Sequence, residues 1–166
     1  MKTLTLIAAA AWPLLAALPP PAAAHGEKPH AAKAAAPIST ERHPWGQQGD
    51  PQKAVRTVQV TMADTMRFSP DRFEIRRGET VTFEVHNAGK VMHEFVIGTE
   101  AELVHHAELM KKHPGMEHDE PYMAHVPPGQ RERISWRFTE PGTFLVGCLL
   151  PGHWEAGMRA TIVVKE

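Results

Sequence analysis

The run Gly147-Cys148-Leu149-Leu150-Pro151-Gly152-His153-Trp154-Glu155-Ala156-Gly157-Met158 lies near the C-terminus of a 166-residue chain and holds its only cysteine. It places a thiol, an imidazole and a thioether at positions 148, 153 and 158. A thiolate with two imidazoles holds copper in either oxidation state, and a weak thioether tunes the potential. Three of those four groups are present, so a second histidine must come from elsewhere. His93 is the candidate, because it stands in the strand-like run Val91-Met92-His93-Glu94-Phe95-Val96-Ile97. Pro151-Gly152 and Gly157 shape the loop so that Cys148, His153 and Met158 can converge. The ordinary reading of a lone cysteine is a small buried hydrophobe. Here the spacing of His and Met around it favours a ligand.

Outward from this run, apolar and polar residues alternate in short segments. Val58, Val60 and Met62 alternate with Gln59 and Thr61, and Phe73 and Ile75 with Arg72, Glu74 and Arg76. Val81, Phe83 and Val85 alternate with Thr82, Glu84 and His86; Ile134, Trp136 and Phe138 do so with Ser135 and Arg137. Residues 144–148 and 161–164 complete the set. Turn chemistry bounds these segments, as in Arg77-Gly78-Glu79, Asn87-Ala88-Gly89 and Glu140-Pro141-Gly142. About seven strands over roughly 110 residues predict a single antiparallel β-sandwich. A domain of that size buries an adequate core without disulfides. There is no internal repeat.

One segment breaks the alternation. Residues 99–112 read as a helix, with Leu103, Ala107 and Met110 at i, i+4, i+7 and Glu100 in the first turn. His113-Pro114-Gly115 ends it, and a loop runs on to Pro127-Pro128-Gly129. This insertion, residues 99–128, is rich in soft-metal donors: His105, His106, Met110, His113, Met116, His118, Met123 and His125. His106, Met110 and His113 would share one helix edge, and Met123 and His125 one side of an extended segment. Together they form a candidate accessory copper site for Cu(I) or Cu(II). Against it stands the ordinary reading, with Met110 in the core and His105 on a solvated face.

Residues 1–24 read as a secretory signal peptide: Lys2, an apolar stretch over residues 4–18, and Ala22-Ala23-Ala24 as the cleavage site. Cleavage there exposes His25, whose amino group and imidazole would make a further copper clamp. Residues 25–53, rich in Ala, Pro, His and Lys, read as a flexible tail, and residues 54–166 as the domain. No other stretch is apolar enough to span a bilayer, so the expectation is an exported, periplasmic protein. A net charge of −1 with mixed signs provides no basic patch for nucleic acid.

Over roughly residues 55–166 the chain resembles the cupredoxins, the plastocyanin- and azurin-like copper proteins. The resemblance rests on Asn87-x-Gly89-x-x-x-His93, the loop from Cys148 to Met158, and the closing strand after it. It implies an all-β Greek-key β-sandwich with a mononuclear copper site at one end. Within that superfamily the chain is most similar to the exported copper-tolerance cupredoxins of the CopI type. Asp64-Thr65-Met66-Arg67-Phe68-Ser69-Pro70, Gly78-Glu79-Thr80, His93-Glu94-Phe95 and the His/Met-rich insertion carry this closer likeness. One departure stands out. Electron-carrier cupredoxins often have Asn after the first ligand histidine, tying the two ligand loops; this chain has Glu94. A carboxylate there tunes the site, or merely faces solvent or pairs with a base.

The implied function is copper sequestration or transfer for copper tolerance, with copper ions as the partner and a periplasmic copper transporter or redox protein beyond them. A monomer without enzymatic activity is expected, since four ligands leave no open position for a substrate and no Ser/His/Asp set or phosphate loop is present. The alternative is a soluble type 1 copper electron carrier.

Overall fold

Alternating residues need one face in a core and one in water, and the chain meets that need with two stacked sheets. The computed structural model describes residues 37–113 and 119–166. In chain order the strands are β1 (Arg42–His43), β2 (Gly46–Gln48), β3 (Arg56–Ala63), β4 (Arg67–Ser69), β5 (Arg72–Arg76), β6 (Thr80–Asn87) and β7 (His93–Gly98). Helix α1 (Glu100–Lys112) follows, then β8 (Met123–Val126), β9 (Arg131–Arg137), β10 (Gly142–Gly147) and β11 (Arg159–Lys165). One sheet has the order β1-β2-β9-β6-β3-β4 and the other β5-β11-β10-β7-β8. The all-β sandwich with a helical insertion is therefore observed.

Two pairings depart from the antiparallel expectation: β3 with β6 and β5 with β11 are parallel. After the β3–β4 hairpin the chain crosses to the other sheet as β5 and returns as β6 beside β3, which sets both in one direction. Crossing between sheets is a long-range choice that local alternation does not encode.

The core lies between the sheets. Val60, Met62, Val81, Phe83 and Val85 of one sheet share a buried cluster with Phe95, Ile97, Val146 and Ile162 of the other. The Phe83 ring bridges them, 5.3 Å from both Phe73 and Phe95. Alternate residues of β5 (Phe73, Ile75) and β11 (Ala160, Ile162, Val164) face inward as the pattern requires.

Residues 42–53, expected as tail, are structured. β1 and β2 extend the larger sheet onto β9, and Pro51–Lys53 forms a 3-10 turn capped by Asp50. Trp45 explains this: it is buried, stacks on Trp136 at 4.4 Å, and donates Nε1–H to Glu102 at 3.0 Å. Strands of two and three residues are too short to show a period, and one tryptophan supplies the apolar anchor. Residues 1–36, with the expected signal peptide and His25, lie outside the described residues.

Helix α1 begins where the sequence indicates. Thr99 caps it, with Glu102 returning the contact to the Thr99 amide in a capping box. Leu103, Ala107 and Met110 are its buried residues. Leu103 and Ala107 join Val96, Met123, Leu149 and Trp154 in a second, smaller core. Among the described residues no helix is long and apolar enough to cross a membrane.

Candidate metal centre

The site is assembled at one end of the sandwich, where β3, β6 and β10 finish and β7 and β11 start. The approach to His93 is held by buried Asn87, whose Nδ2 donates to the carbonyls of Val91 at 2.7 Å and Val126 at 2.8 Å. Its Oδ1 accepts the Gly89 amide at 2.8 Å. From the end of β3, Asp64 accepts the amides of Lys90 at 2.8 Å and Val91 at 3.4 Å. A Cβ on Gly89 would lie 2.0 Å from Asp64 Oδ1, so the loop closes on this carboxylate only with glycine there. The third partner of Asp64 is His93 itself, with Nε2 3.2 Å from Oδ1. A carboxylate only accepts, so the Nε2 proton of His93 faces Asp64 and its Nδ1 presents a lone pair.

That lone pair meets the C-terminal loop. Its two ends are stitched together, Cys148 donating its amide to Met158 O at 3.1 Å and Met158 donating to His153 O at 3.1 Å. Gly152 and Gly157 take φ of +87° and +91°, a region open to glycine at little cost, and the chain folds into successive turns. Arg67 Nη1 donates to Ala156 O at 2.8 Å, while the Arg159 guanidinium lies 4.0 Å over the Trp154 ring. Trp154 packs inward against the second core rather than forming a docking surface. Lys111 of α1 pairs with Glu155 at 2.6 Å, so the inserted helix braces the loop by packing and by charge.

Three donor atoms converge. Cys148 Sγ is 3.2 Å from His153 Nδ1, and the two histidine Nδ1 atoms are 3.3 Å apart. The donors of His93, Cys148 and His153 all lie within 4.8 Å of one another, the one such group of His, Cys, Asp and Glu among the described residues. His93 and Cys148 are fully buried, and His153 is half-buried. Burial pushes the Cys148 thiol up to about 12, with the Glu94 charge adding to it and the Glu94 and Leu150 amides opposing. Burial and the His93 charge push His153 below its ordinary value. The Lys90 amide, helped by Val91 and His93, outweighs desolvation and holds the Asp64 carboxyl below the usual range. Two imidazoles and a thiol that yields its proton to a metal fit copper, which takes soft thiolate and imidazole together.

Glu94 does not face solvent. It is fully buried, donates its amide to Cys148 Sγ at 3.3 Å, and accepts the Leu149 amide on Oε2 at 3.2 Å. It therefore ties the two ligand loops. Its Oε1 stands 3.0 Å from His125 Nε2, within ion-pair range, although it accepts no well-aligned hydrogen bond.

Of the other expected donors, Met158 is fully buried in the main core beside Cys148. Met110 and Met123 are buried, Met123 in the second core, and His125 is engaged with Glu94. His106 lines a cavity of about 210 Å³ with His43, Trp45, Glu102 and Tyr122, and His113 caps the end of α1. Met116 and His118 lie outside the described residues. The residue that sequence reasoning left without a role in the site is Asp64, which is 29 positions from His93 and carries no local mark of the contact.

A cysteine-bearing loop and a buried histidine at one end of a two-sheet sandwich define a cupredoxin-class copper protein. Residues 54–165 match the model of copper binding proteins, plastocyanin/azurin family. The chain is 49% identical over 122 residues, 74% of each chain, to the copper-resistant cuproprotein CopI of Rubrivivax gelatinosus. It is 37% identical over 112 residues, 66% of each chain, to CopI of Vibrio cholerae serotype O1. Auracyanin B shares the fold with a TM-score of 0.62 at 21% identity, over 74% of this chain and 97% of its own. An azurin from Methylomonas sp. strain J does so with a TM-score of 0.56 at 18% identity, over 68% of this chain and 100% of its own. The chain belongs to the plastocyanin/azurin family of copper-binding proteins and is a cupredoxin of the CopI type.

Proposed function

We propose that the protein is exported to the periplasm by residues 1–24 and there sequesters or hands on copper as part of copper tolerance. His93, Cys148 and His153 would hold the metal, with Met158 as a weak fourth ligand. The observation that carries the reading is the convergence of the three donor atoms within 4.8 Å around a buried thiol. Copper, when bound, supplies a one-electron Cu(I)/Cu(II) couple. The chain's own part is to orient the imidazoles and to exclude water from Cys148, whose proton leaves to solvent as the metal binds. Relatives named copper-resistant cuproproteins support the physiological half of the proposal.

The test is a copper titration of the chain starting at His25, reading bound equivalents beside the visible spectrum. An intense thiolate band saturating at one equivalent, with further copper bound without colour, supports tolerance and points to the insertion donors and His25. Deletion of the gene should sensitise cells to copper; undiminished growth in toxic copper would sink the tolerance role.

A soluble electron carrier is the second reading. It is favoured by the half-buried His153, which brings an imidazole edge to the surface, and by Val91 and Met92 exposed beside His93. One equivalent by both readouts, with rapid electron exchange with a cytochrome, would favour it. The exchange partner, a copper transporter or a redox protein, follows from which reading survives.

A further inference from the structure

We propose that Asp64 and Glu94 act as positioning residues whose negative charge biases the copper centre toward Cu(II). The inference rests on the copper-site reading above. Asp64 stands directly behind the imidazole of His93, at 3.2 Å, and two further amides from Lys90 and Val91 lock the carboxylate in place. Glu94 stands on the sulfur side. Its amide reaches Cys148 Sγ and its side chain the next amide along, with no exposure to water. The two carboxylates therefore back two different ligands from two different elements.

The contact at 94 does not require a charge, since the amide oxygen of Gln could accept the same Leu149 N–H. At 64 both oxygens accept, Oδ2 from Lys90 and Oδ1 from Val91 and His93, so Asn removes the charge together with one acceptor. What the carboxylates add is negative potential, weakly screened at buried Glu94 and more strongly screened at Asp64, whose side chain is 40% exposed. A negative charge stabilises the doubly charged metal more than the singly charged one. A carboxylate on the second nitrogen of a ligating histidine also raises the basicity of the first. Among the described residues, Glu94 pairs with His125, a quarter exposed, and Asp64 with His93. The fold thus supplies donors acceptable to both copper states and then tilts them.

Asp64→Asn, Glu94→Gln and the charge-conserving Asp64→Glu decide the matter in the full mature chain. Cu(I) and Cu(II) dissociation constants come from chelator competition, and the reduction potential from voltammetry. Each neutral variant should lose about 10–100-fold in Cu(II) affinity and much less in Cu(I) affinity. The potential should rise by about 59 mV for each tenfold change in the ratio of the two constants. Asp64→Glu should stay near the wild type. Equal losses in both states, or a potential that stays or falls, would overturn the inference and leave the carboxylates a purely structural role. Should Glu94→Gln fail to fold by circular dichroism, Asp64→Asn decides alone: its side chain is 40% exposed, and a lost hydrogen bond weakens both copper states alike whereas a lost charge weakens Cu(II) more. A wild-type protein without a thiolate band would instead overturn the copper site itself.

Discussion

Cys148 illustrates how one side chain couples fold and metal. Its thiol is buried beside Glu94 and held near 12, so the copper-free protein carries it protonated at neutral pH. Copper must displace that proton, and the apparent affinity should therefore rise about tenfold per pH unit until the thiol ionises. Calorimetric titrations in buffers of different ionisation heat would show one proton released per copper; none released would mean the thiol is not a ligand. Cys148→Ser should remove the intense visible band altogether. The same groups set the stability of the copper-free form. Cys148 is raised above its ordinary 9.0, so its contribution is full below that pH and is lost as pH climbs toward about 12. His153 is lowered below its ordinary 6.5, so its contribution is present above that value and lost as pH falls through the depressed one. Urea midpoints of the copper-free protein should accordingly peak between these limits and decline on both sides. A midpoint still rising well above pH 9 would contradict the burial of the thiol.

Elements determine whether the donors stay converged. The loop from Cys148 to Met158 is stitched at its ends and braced by α1 through Trp154 and the Lys111–Glu155 pair. Trp154 is only 6% exposed, and Trp154→Ala should destabilise by about 3–5 kcal/mol. It should also broaden the copper spectrum as the loop loosens; an unchanged denaturation midpoint would refute the bracing role. Thr99→Ala removes one half of the capping box and should cost about 1 kcal/mol. The existence of α1 was legible from Leu103, Ala107 and Met110 on one face, and Thr99-x-x-Glu102 marks its start as well. The surface that this face covers was not legible, since spacing shows that a stripe is buried but not what buries it.

At the largest scale, the described residues form a sandwich whose two sheets meet through Phe83 and its aromatic neighbours. Phe83→Ala should cost about 3–5 kcal/mol and weaken copper binding only through loss of folded protein. Copper bound only by the folded state should add about 4 kcal/mol when free metal reaches a thousand times its dissociation constant. Thermal melts with and without copper would measure it. No such gain in Cys148→Ser would trace the effect to this site.

By itself the sequence determined whatever is local in the chain. Alternation marked most strands, the 3.6-residue stripe marked α1, and a single loop presented Cys148, His153 and Met158 together. His93 was inferred from the need for a fourth donor and from its place in a strand. Tertiary structure alone decided the sheet crossings, the anchoring of residues 42–53 through Trp45 onto Trp136, and the fully buried place of Glu94 between the ligand loops. It also decided that Asp64 stands behind His93. The physical reason is common to all four. Each joins residues far apart in sequence, brought together by strand pairing within a sheet or by packing between the sheets, and no periodicity records a partner that distant.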